Sequence, residues 1–405
     1  AKIAGGIYLK GIIGKQRYYF DHGAGLVRGF DGEISVNETF KFLADKKLRA
    51  TLGGSFVSKF QKDEDPNLEL PENVGSWAAR LNLLYAGFNL TGEYVSKGQD
   101  PQASNIIVSH LGARPNYNYG NAFLMSASYS QKGLGVILSA KRMDNMNFRS
   151  DREATLFDLN MNFLPALTKQ HTYLLAASLY PYATQPNGEW AFQGEASYKI
   201  PKKSMLGGKY GMNISVNYSR IHGLDTTINE NGTGYSSEIF GFGDKYFEDF
   251  SIEINKKFNK THKMSLKYLN MFNDINVTQG KAGKEPVKAH IIIAEMTHKL
   301  AKKHAIRWEL QGLMTKQDMK DWAAVLVEYT WSPHLFVAFI GQYNISNKDV
   351  SQRIFYPTGQ VGYIHHATRV TLQYGRQRAG IFCVGGVCRT VPASNGVSLS
   401  ITTSF

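Results

Sequence analysis

Apolar side chains recur at every second residue along most of this chain, and that period constrains the fold more than any other feature. In residues 48–60 the even positions carry Leu48, Ala50, Leu52, Phe56 and Phe60, and the odd ones Arg49, Thr51, Ser55 and Lys59. Residues 190–200 set Trp190, Phe192, Ala196, Tyr198 and Ile200 against Gln193, Glu195, Ser197 and Lys199. Ile306, Trp308, Leu310 and Met314 alternate with Arg307, Glu309 and Gln311 in the same way. Successive strand side chains point to opposite faces, so each segment has one oily and one wet side. About twenty such segments can be traced, from 5–15 to 395–405 and including 153–164 and 172–180. No helical period lasts longer than a turn or two, so a parallel α/β fold is not expected.

An all-β chain with this much strand must bury or solvate its oily faces somewhere, and three features point to lipid. Short turns, such as 85–88, 131–133, 301–304 and 332–334, alternate with long polar loops, such as 61–74, 98–117, 221–246 and 274–287. Segregation of loop lengths to opposite rims is a property of outer-membrane barrels, not of soluble sandwiches. Tyr and Trp gather near predicted strand ends (Trp77, Tyr94, Tyr129, Tyr198, Trp331 among them), as in the aromatic girdles at lipid headgroups. The last segment alternates Val397, Leu399, Ile401 and Thr403 with serines and threonine, and Phe405 ends it. No run of about 18 apolar residues offers a helical span. The expected fold is a transmembrane antiparallel β-barrel of the outer-membrane type, with about twenty strands in one domain over residues 1–405.

A barrel of this size cannot be filled by its own side chains, so its interior holds water or a plug. The residues expected to line that interior are Arg49, Arg80, Glu93, Lys97, Glu195, Lys199, Lys263, Lys267, Arg307, Glu309 and Glu328, together with Lys59, Lys141, Asp158, Asn160 and others of the wet faces. Both signs occur, with cations ahead. The wall suits a porin-like channel for small polar solutes with a mild preference for anions. Cross-strand pairing accounts for many of the same charges. The longest candidate for a loop folded into the pore is 221–246.

The remaining constellations carry less. Cys383 and Cys388 flank Val-Gly-Gly-Val, a spacing compatible with a local disulfide in an oxidising periplasm; free thiols remain open, and no adjacent ligand favours metal. His262, His304, His334, His365 and His366 fall on the short-turn rim, where imidazoles suit a membrane interface as well as a pH sensor. Paired lysines 46–47, 202–203 and 302–303 make that rim basic, a surface for an acidic partner or simply solvated turns. Acidic stretches 63–65 and 225–234 lack calcium-loop spacing. No Ser/His or Asp/His arrangement can be assigned, so no enzyme and no cofactor are expected. The net charge of +13 is dispersed rather than clustered, which argues against nucleic acid.

Three stretches, GKQRYYF (14–20), GLVRGFDGEISVNE (25–38) and the block from Gly362 through GRQRAGIFCVGGVCR to Phe405, resemble a family of Bacteroidetes outer-membrane β-barrel proteins with no assigned activity. The resemblance spans the whole chain. It implies an outer-membrane location and contact with lipid and lipopolysaccharide. It also implies further strands upstream of residue 1. Beside the channel, it leaves a second reading open. The chain would then be a non-catalytic subunit of a larger outer-membrane complex (barrel assembly, type 9 secretion or nutrient uptake), with other outer-membrane or periplasmic proteins as partners.

Overall fold

The computed structural model describes all residues except 1, 104, 155–157, 385, 386 and 405, and all side chains except those residues and 2–4, 380–384 and 387–391. Eighteen long strands form the wall. The first six are β1 (Ile7–Tyr18), β2 (Asp21–Ser35), β3 (Arg49–Phe60), β4 (Asn73–Tyr85), β5 (Phe88–Lys97) and β6 (Gly120–Gln131). Next come β7 (Leu134–Asp144), β8 (Gly188–Ile200), β9 (Met212–Ile228), β10 (Tyr235–Lys257), β11 (His262–Asn273) and β12 (Val287–Lys299). The last are β13 (His304–Thr315), β14 (Trp322–Trp331), β15 (Leu335–Asn344), β16 (Phe355–His365), β17 (Thr368–Gln377) and β18 (Ser394–Thr403). Each pairs antiparallel with the next, so the sheet is one uninterrupted meander.

The register keeps the two faces separate across the whole sheet. Ala294, Leu310 and Val325 form one row, and Glu295, Glu309 and Leu326 the next. Carried strand to strand, the first face collects Phe30, Phe56, Leu138, Ile292, Leu310, Phe339, Leu372 and Leu399, all exposed. The opposite face is predominantly polar towards the short-turn rim. A surface this apolar in water would cost about 25 cal/mol for each Å² left wet, so it calls for lipid. The architecture is that of an outer-membrane β-barrel wall, all-β and antiparallel.

Closure is where expectation and structure part. Among the described residues β1 and β18 are not paired with each other. The outer edge of β1 meets only a short strand, Lys2–Ala4, which folds back on Ile7 and Tyr8. In a meander of eighteen strands the first and last run in opposite directions, so both edges present a free antiparallel ladder.

The rims differ as the sequence predicts, with three departures. Tight turns at 86–87, 132–133, 258–261, 300–303, 332–334 and 366–367 sit on one rim, and 61–72, 98–119, 145–187, 274–286, 345–354 and 378–393 on the other. The short rim also carries 36–48, with a helical turn at Val36–Thr39, and 201–211. The long rim has one tight turn, 19–20. At 86–87, Ala86 (φ 46°) and Gly87 (φ 87°) both adopt the left-handed conformation that a two-residue hairpin turn demands.

Two expected segments are not wall strands. Residues 153–164 and 172–180 belong to the connection 145–187, whose one regular element among the described residues is a short helix, Leu174–Ser178. Their apolar residues alternate as a strand's do, but Leu159, Leu174, Leu175, Leu179 and Tyr180 are buried on the inner side of the wall instead of against lipid. Pro165, Pro181 and Pro186 are the signal against strands there, because proline cannot donate to a ladder. The loop expected inside the pore, 221–246, is also corrected. It lengthens β9 and β10 into a hairpin whose strands pair out to Ile228 and Tyr235.

Candidate functional site

The candidate site is the inner face of the wall and the loop laid across it. Register places Arg49, Arg80, Glu93, Lys97, Glu195, Lys199, Lys263, Lys267, Arg307, Glu309 and Glu328 all on the face opposite the apolar band. Asp158 and Asn160 are the exceptions among the wider set, since they lie on the 145–187 loop. That loop crosses from β7 to the far side of the mouth. The Tyr18 hydroxyl donates to Asp158 at 3.4 Å, Gln16 donates to the Asn160 carbonyl at 3.2 Å, and the Ala24 amide donates to Asp151 at 3.0 Å. At Gly25 a β-carbon would stand 1.9 Å from the Ser150 carbonyl oxygen, so only glycine lets the loop pass.

The second half of the loop descends into the interior. Leu175 is fully buried among Ile291, Ile293, Leu313 and Trp322, and Leu174 among Leu326, Phe336, Ala338 and Ile340. The Leu175 amide donates to the Gln311 side chain on β13 at 2.9 Å. Asn273 on β11 donates to the Tyr180 carbonyl at 3.2 Å. A second element joins it from the last long connection. The hairpin Gly380–Val384 and Val387–Val391 runs beside the helix Leu174–Ser178. Its backbone sets Cys383 opposite Cys388; their side chains lie outside the described residues, and with them the disulfide.

Several charges near the loop are paired. Lys59 and Asp100 meet at 2.7 Å, fully buried, and Lys141 meets Glu189 at 2.8 Å. Lys169 of the loop reaches Glu195, and Arg307 stands within 3.3–3.6 Å of Glu295, Glu309 and Glu328. Arg80 turns to Asp31 and Ser55, its guanidinium lying over Gly53. His171 of the loop meets Asp249 at 3.1 Å. Burial holds this imidazole below its ordinary value, and the hydrogen bond to Asp249 offsets part of the shift. Lys97, Lys267, Glu309 and Glu328 are on the inner face but buried.

The short-turn mouth is different. Arg49, Lys199 and Lys263, with Lys257 and Lys299, point inward there, exposed and without an ion pair among the described residues. Lys257 and Lys263 face each other across adjacent strands. On the outer side of the same rim, histidines stack with aromatics. His304 meets Tyr329 and Trp331, His334 meets Tyr363, and His298 meets Trp308. Among the described residues no three His, Cys, Asp or Glu side chains form a group that could hold a metal.

Comparison with known proteins adds the following. Solved structures similar to this chain include outer-membrane protein OpdK from Pseudomonas aeruginosa (8% identity, TM-score 0.40, covering 92% of each chain). OccAB4 from Acinetobacter baumannii is similar at 11% identity and TM-score 0.39, covering 98% of this chain and 95% of its own. A triple mutant of the Rhodopseudomonas blastica porin follows at 12% and 0.30, covering 84% and 96%. Identities and scores this low carry no weight for function. No curated protein matches the chain. One family profile matches over residues 1–405, and the chain therefore belongs to DUF6029, a family of unknown function.

Proposed function

We propose that this chain is an outer-membrane, porin-like channel for small polar solutes, narrowed by the 145–187 loop and weakly selective for anions. The observation that carries the reading is the pairing of an apolar outer face with a short-turn mouth that exposes inward, without an ion pair among the described residues, Arg49 on β3 and Lys199, Lys257, Lys263 and Lys299 on β8 to β12. Eighteen strands, once closed, enclose more space than side chains can fill, and an excess of one charge at the mouth sets the selectivity of the water that remains. The occluding loop limits what passes without sealing a wall this wide.

A planar bilayer tests it. The purified chain should give ohmic conductance whose reversal potential in a salt gradient favours anions. Lys257→Glu with Lys263→Glu should move that potential towards cations. Replacing 163–181 by a short glycine-serine linker should raise conductance severalfold. Silence of both forms, with a stably co-purifying partner chain, would replace the channel by the accessory-subunit reading.

A further inference from the structure

The loop covers only one side of the inner wall. Opposite Leu174 and Leu175, between β3–β7 and the loop's first half, a cavity of about 470 Å³ is left open. Its wall side is Val57, Leu124 and Met143, and its loop side Phe148, Met161 and Phe163. Phe163 is 87% exposed, a large ring held over the space with little packed against it. Apolar surface left uncovered inside a polar channel marks a place where a ligand is wanted, and this volume falls in the range of small-molecule sites.

Two charged residues line the cavity, and only one is available. The Lys141 ammonium is taken up by Glu189 and Thr184 and by the Pro165 carbonyl. Glu93 has Arg80 as its cross-strand neighbour, but Arg80 turns to Asp31 and Ser55, on the side away from it. The Glu93 carboxylate therefore faces the cavity with no hydrogen bond or ion pair among the described residues. Aromatic faces such as Phe148 and Phe163 attract cations and repel anions, reinforcing the same sign.

We infer that this cavity is a binding site for small organic cations with an apolar or aromatic body, the ammonium on Glu93 and the body between Met161, Phe163 and the β3–β7 wall. The site lies on the loop side of the wall, away from the cationic short-turn mouth, and goes beyond the channel reading, on which it rests for its purpose; its occupancy is measurable without conductance. Titration calorimetry on the detergent-solubilised full chain should show binding of 2-phenylethylammonium. Phenylacetate, with the same body and opposite charge, and ethylammonium, with the charge and no ring, should each bind about tenfold more weakly or less. Glu93→Gln should weaken 2-phenylethylammonium about tenfold, and Phe163→Ala severalfold. Barrel integrity is checked by resistance to unfolding in cold SDS. If Glu93→Gln loses that resistance, Phe163→Ala decides, since its exposed ring supports no packing. Phenylacetate binding as well as the cation, or no heat from any of the three, would overturn the site. Binding without conductance would overturn only the channel.

Discussion

Asp100 shows how much a single side chain can hold at the long-loop rim. Its carboxylate pairs with Lys59, both fully buried, while the neighbouring Lys97 is buried with no hydrogen-bond partner for its ammonium among the described residues. Removing one member of a buried pair strands the other, at a cost of about 3–5 kcal/mol. Asp100→Asn should therefore lower the temperature at which the SDS-resistant form is lost, whereas Lys97→Met should leave it unchanged or raise it. The two cysteines supply a second residue-scale prediction. With Cys383 set opposite Cys388 on the backbone, the unreduced denatured protein should take up no iodoacetamide, and the reduced protein should gain two alkyl groups by mass. Uptake of two groups without reductant would return the pair to free thiols. Residue by residue, which side chains share the polar face is readable in the sequence, because a period of two assigns every side chain of a strand at once. Which of them stay exposed was not readable. That depends on the loop, and Lys97 and Lys199 look alike in a one-dimensional pattern.

The 145–187 loop is the element that sequence reading missed, and the reason is physical. Alternation reports only that one side of a segment is apolar, and the partner of that side can be lipid or the inner wall. Residues such as Leu174, Leu175 and Leu179 satisfy either. The three prolines and the short helix settle the matter only once seen together with the inner apolar patch at Ile291, Leu313 and Trp322. Docking of this loop should depend on pH through His171. Its docked pKa lies below the ordinary value near 6.5, so the docked loop binds fewer protons than the free one. Docking is then strongest above that value and weakens as pH falls through it, with Asp249 opposing and Lys169 and Lys267 assisting the loss. Amide exchange in 166–180 should be faster at pH 5 than at pH 7.5, and His171→Gln should flatten the difference. Equal exchange in wild type at both values would remove His171 from the account.

Over the whole molecule, the meander, the two rims and the apolar outer face follow from period and loop length alone. The join does not, because no local pattern specifies which edges meet. In hydrocarbon an unpaired backbone group costs several kcal/mol, so neither β1 nor β18 can face lipid with a bare ladder. In bilayers the amides of both strands should be as slow to exchange as those of β13. Exchange at turn-like rates would mean that the edges stay wet, facing the lumen or the rim instead of lipid.

The tie between Leu175 and Gln311 also fixes an order of events. All neighbouring wall strands are consecutive in sequence, so the wall can be laid down one hairpin at a time from local contacts. The blocking segment leaves the wall after β7 but rests on β11 to β15, which do not exist as a surface until much later in that progression. Obstruction therefore cannot be completed until β15 has joined the wall, however early in the chain its own segment departs.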